Sequence, residues 1–97
     1  MNIRNIRKLI DYGQKHADAK RALDAWHNEV KYAQWEKPSD ILVRYTTASI
    51  LPKDRVVFRI KGNHFRMVVV VKYTISDVHI RFIGTHAEYD KIDAKEI

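Results

Sequence analysis

Six side chains in the second half of this chain are of the kinds that hold phosphate and move protons: Lys61, Arg66, Arg81, His86, Tyr89 and Asp90. Arg and Lys offset developing negative charge, while His, Asp and Tyr exchange protons. Metal-free cleavage of RNA can be built from such groups, because the 2′-hydroxyl is already a nucleophile. The protein must align it, take its proton, offset charge on the phosphorane and protonate the 5′-oxygen. The same side chains could hold a phosphate backbone without cutting it. Structural roles compete: His86 could cap the C-terminal turn, Tyr89 fill a concave face and Asp90 pair with Arg66.

Other chemistries find less support. Cysteine is absent, which removes thiol chemistry and the usual thiolate metal sites. There is no H-E-x-x-H spacing. His86, Glu88 and Asp90 carry ligand atoms, but the basic surroundings oppose a cation, so no metal site or cofactor is expected. Gly62-Asn63 serves turn geometry first and is not a phosphate loop. No serine nucleophile elbow is present.

Three strand-like runs carry these residues: Val56 to Lys61, Phe65 to Tyr73 and Val78 to Ile83. They are rich in Val, Ile and Phe, and their links are short, which predicts a three-stranded antiparallel meander. Alternation places Val56, Phe58, Ile60, Phe65, Met67, Val69, Val71, Val78, Ile80 and Phe82 on a core face. The other face carries Arg59, Lys61, Arg66, Lys72, His79 and Arg81 around Val57, Val68, Val70 and Ile83. Its apolar middle requires a partial cover. Like charges on one face favour an anionic partner, although long side chains on a solvated face would look the same.

Helices must cover the core face. Ile3, Ile6, Leu9 and Ile10 recur at helical spacing over residues 3 to 15. Ala19, Ala22, Leu23, Trp26, Val30 and Ala33 form an apolar stripe over residues 19 to 34. Trp26 reads as a core anchor, and Trp35 as core edge or partner contact. His16 and His27 read as surface or capping residues. Pro38 stops the segment, residues 39 to 45 form a short helical turn, and residues 46 to 52 connect to the first strand. Residues 86 to 97 end the last strand and form a short C-terminal helix. The expected fold is α+β: two N-terminal helices on a small antiparallel sheet, in one domain spanning residues 1 to 97.

The formal charge is +6, from 18 basic and 12 acidic residues. Residues 53 to 86 hold seven basic and two acidic residues, so the excess lies in the sheet rather than in a detachable tail. A folded basic surface favours a polyanion. DNA binding, RNA binding and a basic protein-interaction module all fit composition alone. No membrane partner is expected: the longest strongly apolar run, Met67 to Val71, is too short to span a bilayer, and no helix pairs a basic stripe with a large apolar one. The start lacks a signal peptide's apolar segment, so a cytoplasmic location is the expectation.

Two motifs make a resemblance specific. Phe58-Arg59-Ile60-Lys61-Gly62-Asn63-His64-Phe65-Arg66-Met67-Val68 resembles the central signature of the HigB toxins, similar to F-N-I-x-G-N-x-Y/F-R-L/M-I/V. Thr85-His86-Ala87-Glu88-Tyr89-Asp90 resembles their closing T-H-x-E-Y-D. Leu23-x-x-Trp26 and Ala33-x-Trp35 also match, so the resemblance covers about residues 3 to 93. It implies a RelE-like fold, with a possible extra strand before the first helix. It implies an mRNA interferase of a type II toxin–antitoxin system that cuts mRNA on the translating ribosome. The implied partner is a HigA-like helix-turn-helix antitoxin, through which the pair binds operator DNA. The basic site carries over to Lys61 and Arg66, with Arg81 as third-strand member, and the terminal site to His86, Tyr89 and Asp90. Asn63 would hold the hairpin or touch RNA, and Arg59, His64, Lys72 and His79 would extend the RNA surface. Arg59 departs from the pattern, where Asn is frequent; the added charge would strengthen backbone binding or alter base preference. A non-cutting RNA- or ribosome-binding module of the same fold is the alternative.

Overall fold

The computed structural model describes all 97 residues. In chain order the elements are β1 (Asn2–Arg4), α1 (Ile6–Lys15), α2 (Ala17–Val30), α3 (Pro38–Arg44), β2 (Ser49–Ile50), β3 (Arg55–Ile60), β4 (Phe65–Lys72), β5 (Asp77–Thr85) and α4 (His86–Tyr89), with a 3₁₀ turn at Tyr73–Ile75 between β4 and β5. The architecture is α+β, as the alternation and the helical stripes predict. The meander β3-β4-β5 is antiparallel and forms the centre of a five-stranded sheet ordered β1-β5-β4-β3-β2. Two edge strands extend it. β1 pairs parallel with β5, and β2 pairs antiparallel with β3. Both are too short to show a period in sequence. The early apolar pattern therefore divides: Ile3 belongs to β1, and the helix begins only at Ile6.

The stripe on α2 is buried at Ala19, Leu23, Trp26 and Val30, and α1 adds Leu9. They close one core with Val56, Phe58, Met67, Val69, Val71, Val78 and Ile80 of the sheet. Trp26 is 2 % exposed, and its ring meets Phe58 edge-on at 5.5 Å. Trp35 is buried and stacks on Phe58 at 6.1 Å between centroids, so it belongs to the core.

A β-bulge corrects the face assignment at the end of β5. Val69 faces Ile80, but Val68 faces Phe82, so Arg81 is the extra residue. One inserted residue inverts the alternation beyond it. Ile83 therefore joins the helix-side core, while Phe82 turns to the opposite face. Asn5, in the left-handed region at φ 65, donates its side-chain amide to the Ile80 carbonyl at 3.0 Å, tying the β1–α1 turn to the bulge.

The C-terminal segment supplies the cover for the second face. Tyr89, Ile92, Ala94 and Ile97 pack with Leu51 and Phe82 over Val57 and Val68. Arg55 donates to the Ile97 carbonyl at 2.6 and 3.2 Å, and Lys53 pairs with Glu96 at 2.7 Å. This cover lies across the middle of the face and divides its basic residues into two groups.

Candidate active site

The β3–β4 hairpin builds the first half of the site. Lys61 and Gly62 both have positive φ, 53° and 64°, and the turn closes with His64 N–H donating to the Lys61 carbonyl at 3.2 Å. Glycine tolerates this region without strain, whereas lysine pays a steric cost. The turn sets Asn63 three residues before Arg66. Asn63 Oδ1 accepts from Arg66 Nη1 at 2.6 Å, and the Asn63 carbonyl lies 3.4 Å from the same nitrogen.

Arg66 is the only buried charged residue, 7 % exposed, and it has no carboxylate partner. Its guanidinium carbon lies 5.8 Å from the centre of the Tyr89 ring. Directly across the ladder stands Gly84 on one side and Arg59 on the other. A Cβ at Gly84 would come within 2.5 Å of Phe82 Cζ and 3.1 Å of Glu88 Oε1, so the close packing of these side chains beside Arg66 requires glycine.

The second half is α4. Thr85 accepts from Glu88 N–H at 3.1 Å, and Glu88 accepts from Thr85 N–H at 2.8 Å, a reciprocal capping box. The Thr85 backbone N–H, followed by its side chain, holds the Glu88 carboxyl below the usual carboxylate range. His86 N–H donates to the His64 carbonyl at 3.1 Å, fastening this short helix to the hairpin. One helical turn brings His86 Nδ1 to 3.1 Å from Asp90 Oδ2. A carboxylate at Nδ1 favours the tautomer whose Nε2 is free to accept a proton.

The fold thus joins Asn63, Arg66 and Tyr89, and places His86 at the start of α4 with Asp90 at its C-cap. Asp90 pairs with His86 rather than with Arg66. Lys61 does not share the face of Arg66. Its left-handed backbone leaves the strand alternation, and its Nζ lies 4.0 Å from Asp18 of α2. Arg59, on the face of Arg66 by strand alternation, also borders a groove with Lys61 and Trp26 where β3 runs unpaired. Arg81 stands exposed at the bulge and makes no ion pair. Lys72 and His79 lie at the far end of β4 and β5, with Lys72 held by Asp54 at 3.1 Å. Lys72 is six residues along β4 from Arg66, roughly 20 Å at strand rise. The expected single basic face is therefore two surfaces, because the C-terminal cover lies between them.

Two contributions escape a reading of the residues in isolation. Asn63 is the partner of Arg66, for which the hairpin spacing Asn-x-x-Arg is the only sequence signal. Gly84 has no signal short of the register that sets it opposite Arg66. His16 takes the capping position between α1 and α2, as one of its two expected roles, and is half-buried there: its ring stacks on Tyr12 at 4.0 Å and meets Phe65 edge-on. Burial, with the charges of Glu88 and Asp18, pushes the Tyr12 hydroxyl up. No three His, Asp or Glu side chains converge as a metal-binding set.

A family model described as HigB_toxin, the RelE-like toxic component of a toxin-antitoxin system, matches residues 19–92. The chain belongs to the HigB toxin family. It is thus a toxin-type chain whose system includes an antitoxin partner. No curated protein matches it. The matched span contains α2, the whole meander and α4, so both halves of the candidate site lie inside it. No helix of this toxin is long and apolar enough to cross a membrane.

Proposed function

We propose that this toxin is an endoribonuclease that cleaves mRNA on the translating ribosome by attack of the 2′-hydroxyl, without needing a metal ion. The observation that carries the reading is Arg66: a buried guanidinium with no carboxylate partner, fixed by Asn63 beside Tyr89. A desolvated cation without a counter-charge is a prepared anion site. In this reading His86 Nε2 takes the 2′-hydroxyl proton while Asp90 orients the ring from Nδ1. The 2′-oxygen bonds to phosphorus, Arg66 offsets charge on the phosphorane, the P–O5′ bond breaks, and Tyr89 protonates the leaving oxygen. Arg59, Arg81 and His64 extend a basic margin around this centre for the RNA backbone. The site is small and exposes few stacking aromatics, which fits presentation of the substrate by the ribosome. The antitoxin is a HigA-like helix-turn-helix protein that carries operator binding for the pair, and the toxin acts in the cytoplasm.

The test is single-turnover cleavage on programmed ribosomes. Products should carry a 2′,3′-cyclic phosphate and a 5′-hydroxyl. Arg66→Ala, His86→Ala and Tyr89→Phe should each slow cleavage by roughly 10²-fold while ribosome binding persists, the scale of lost proton transfer or transition-state electrostatics. A 5′-phosphate product, or full activity after all three substitutions, overturns the reading.

A further inference from the structure

We propose that the groove between α2 and the open end of β3 docks an acidic, extended segment of the antitoxin. The groove has a volume of about 170 Å³. Ala22, Ala25 and Trp26 of α2 and Ile60 of β3 give it apolar walls. Its rim carries Arg44, Arg59 and Lys61 against one carboxylate, Glu29. Glu29 is already engaged, by Arg44 Nη2 at 2.8 Å and by the Tyr45 hydroxyl at 2.5 Å. Arg59 has no ion pair, and the carboxylate nearest Lys61 stands at 4.0 Å. Arg59 is left to an incoming acidic group, and Lys61 is held only at the long distance of its Asp18 pair.

The backbone beside the groove is also open. β2 pairs only with Val56 and Val57, so β3 continues to Ile60 with no strand on that side. An exposed strand edge accepts an extended main chain, while neighbouring pockets take its side chains. The groove suits one aliphatic side chain on its apolar walls and acidic neighbours at Arg59 and Lys61. A nucleic-acid backbone fits less well, since it would use neither the apolar walls nor the open strand edge, and the aromatic floor, Trp26, is buried and offers no stacking face. The surface is also suited to silencing: an occupant that takes Arg59 removes a cation from the margin of the candidate active site. The inference rests on the antitoxin partnership and not on the cleavage chemistry.

Ala25 is exposed on α2 and belongs to no catalytic group, so Ala25→Glu places a like charge against the acidic segment without disturbing the core. The variant and the wild-type toxin are each co-expressed with the antitoxin of the same operon, and affinity is measured with the purified proteins. Ala25→Glu should still arrest growth when expressed alone, and should bind the antitoxin at least about 10-fold more weakly, since like-charge juxtaposition disfavours association. Ala25→Lys, of similar bulk and opposite charge, should keep binding within a few-fold. Hydrogen exchange in the wild-type complex should show protection at residues 22 to 29 and 59 to 61. Unchanged antitoxin affinity for Ala25→Glu overturns the proposal. So does a variant that loses ribosome binding in place of antitoxin binding, which would assign the groove to RNA. Antitoxin affinity is read without any cleavage, so failure of the nuclease reading leaves this result standing.

Discussion

Arg66 shows how one side chain is made useful by its neighbours. Removing its partner through Asn63→Ala should leave the hairpin in place, because the turn is closed by backbone contacts, yet free the guanidinium to wander. Cleavage should fall about 10-fold or more with little change in ribosome affinity, since misplacement costs the chemical step. A fall in affinity alone, at unchanged single-turnover rate, would assign Asn63 to RNA contact. Arg66→Lys should not restore the rate, because an ammonium lacks the planar fork. In the core, Trp26→Ala should cost roughly 3–5 kcal/mol in denaturant unfolding, the range for deleting a buried large aromatic. A change below about 1 kcal/mol would contradict its packing against Phe58. Both residues stand out by type in the sequence. Their partners were legible to different degrees: Phe58 follows from alternation, whereas Asn63 follows only once the hairpin is closed.

The helix α4 has four residues, too few to hold itself by propensity, so its geometry depends on the capping box and on the His86–His64 backbone bond. Thr85→Ala should cost about 1 kcal/mol, typical of a lost N-cap. It should also lower the cleavage rate, by loosening the element that carries His86, Tyr89 and Asp90. A rate unchanged at wild-type stability would separate the cap from the site. Glu88 gives this element a pH signature. Its folded-state pKa is depressed by the Thr85 hydrogen bonds, so its contribution is complete above the ordinary carboxylate value of 4.5 and is lost as pH falls through the lower folded value. Glu29, held below the ordinary range by Tyr45 and then Arg44, acts in the same direction. Melting temperature should therefore be level above that value and decline in more acid solution, and Glu88→Gln should flatten part of the decline. A Glu88→Gln profile superimposable on the wild type would remove the capping box from this account.

The whole surface is divided by the C-terminal segment. RNA or ribosome binding should weaken with salt as phosphate contacts release counterions. Neutralising Arg59 or Arg81, at the hairpin end and the bulge, should each reduce the salt slope by about 1 if that residue contacts a phosphate. Lys72→Ala should change it little, because Lys72 is paired with Asp54 beyond the cover. Equal effects from Lys72 and Arg59 would mean that one continuous basic face binds RNA despite the segment lying across it.

Elements with a period and motifs with a spacing are set by local sequence. The α2 stripe, the three meander strands, the basic excess in the sheet and the family signature are local patterns, readable because 3.6-residue and 2-residue repeats report burial directly. Tertiary structure alone decided four matters. β1 and β2 are too short to carry a period and exist through pairing with β5 and β3. The bulge at Arg81 inverted Phe82 and Ile83, since one unpaired residue shifts every later side chain while leaving composition unchanged. Residues 91 to 97 pack on the second face because Val57, Val68 and Phe82 there are apolar, a complementarity between distant segments. Lys61 was separated from Arg66 by a left-handed backbone at the turn, which placed it beside α2 and made Asn63 the partner of the buried arginine.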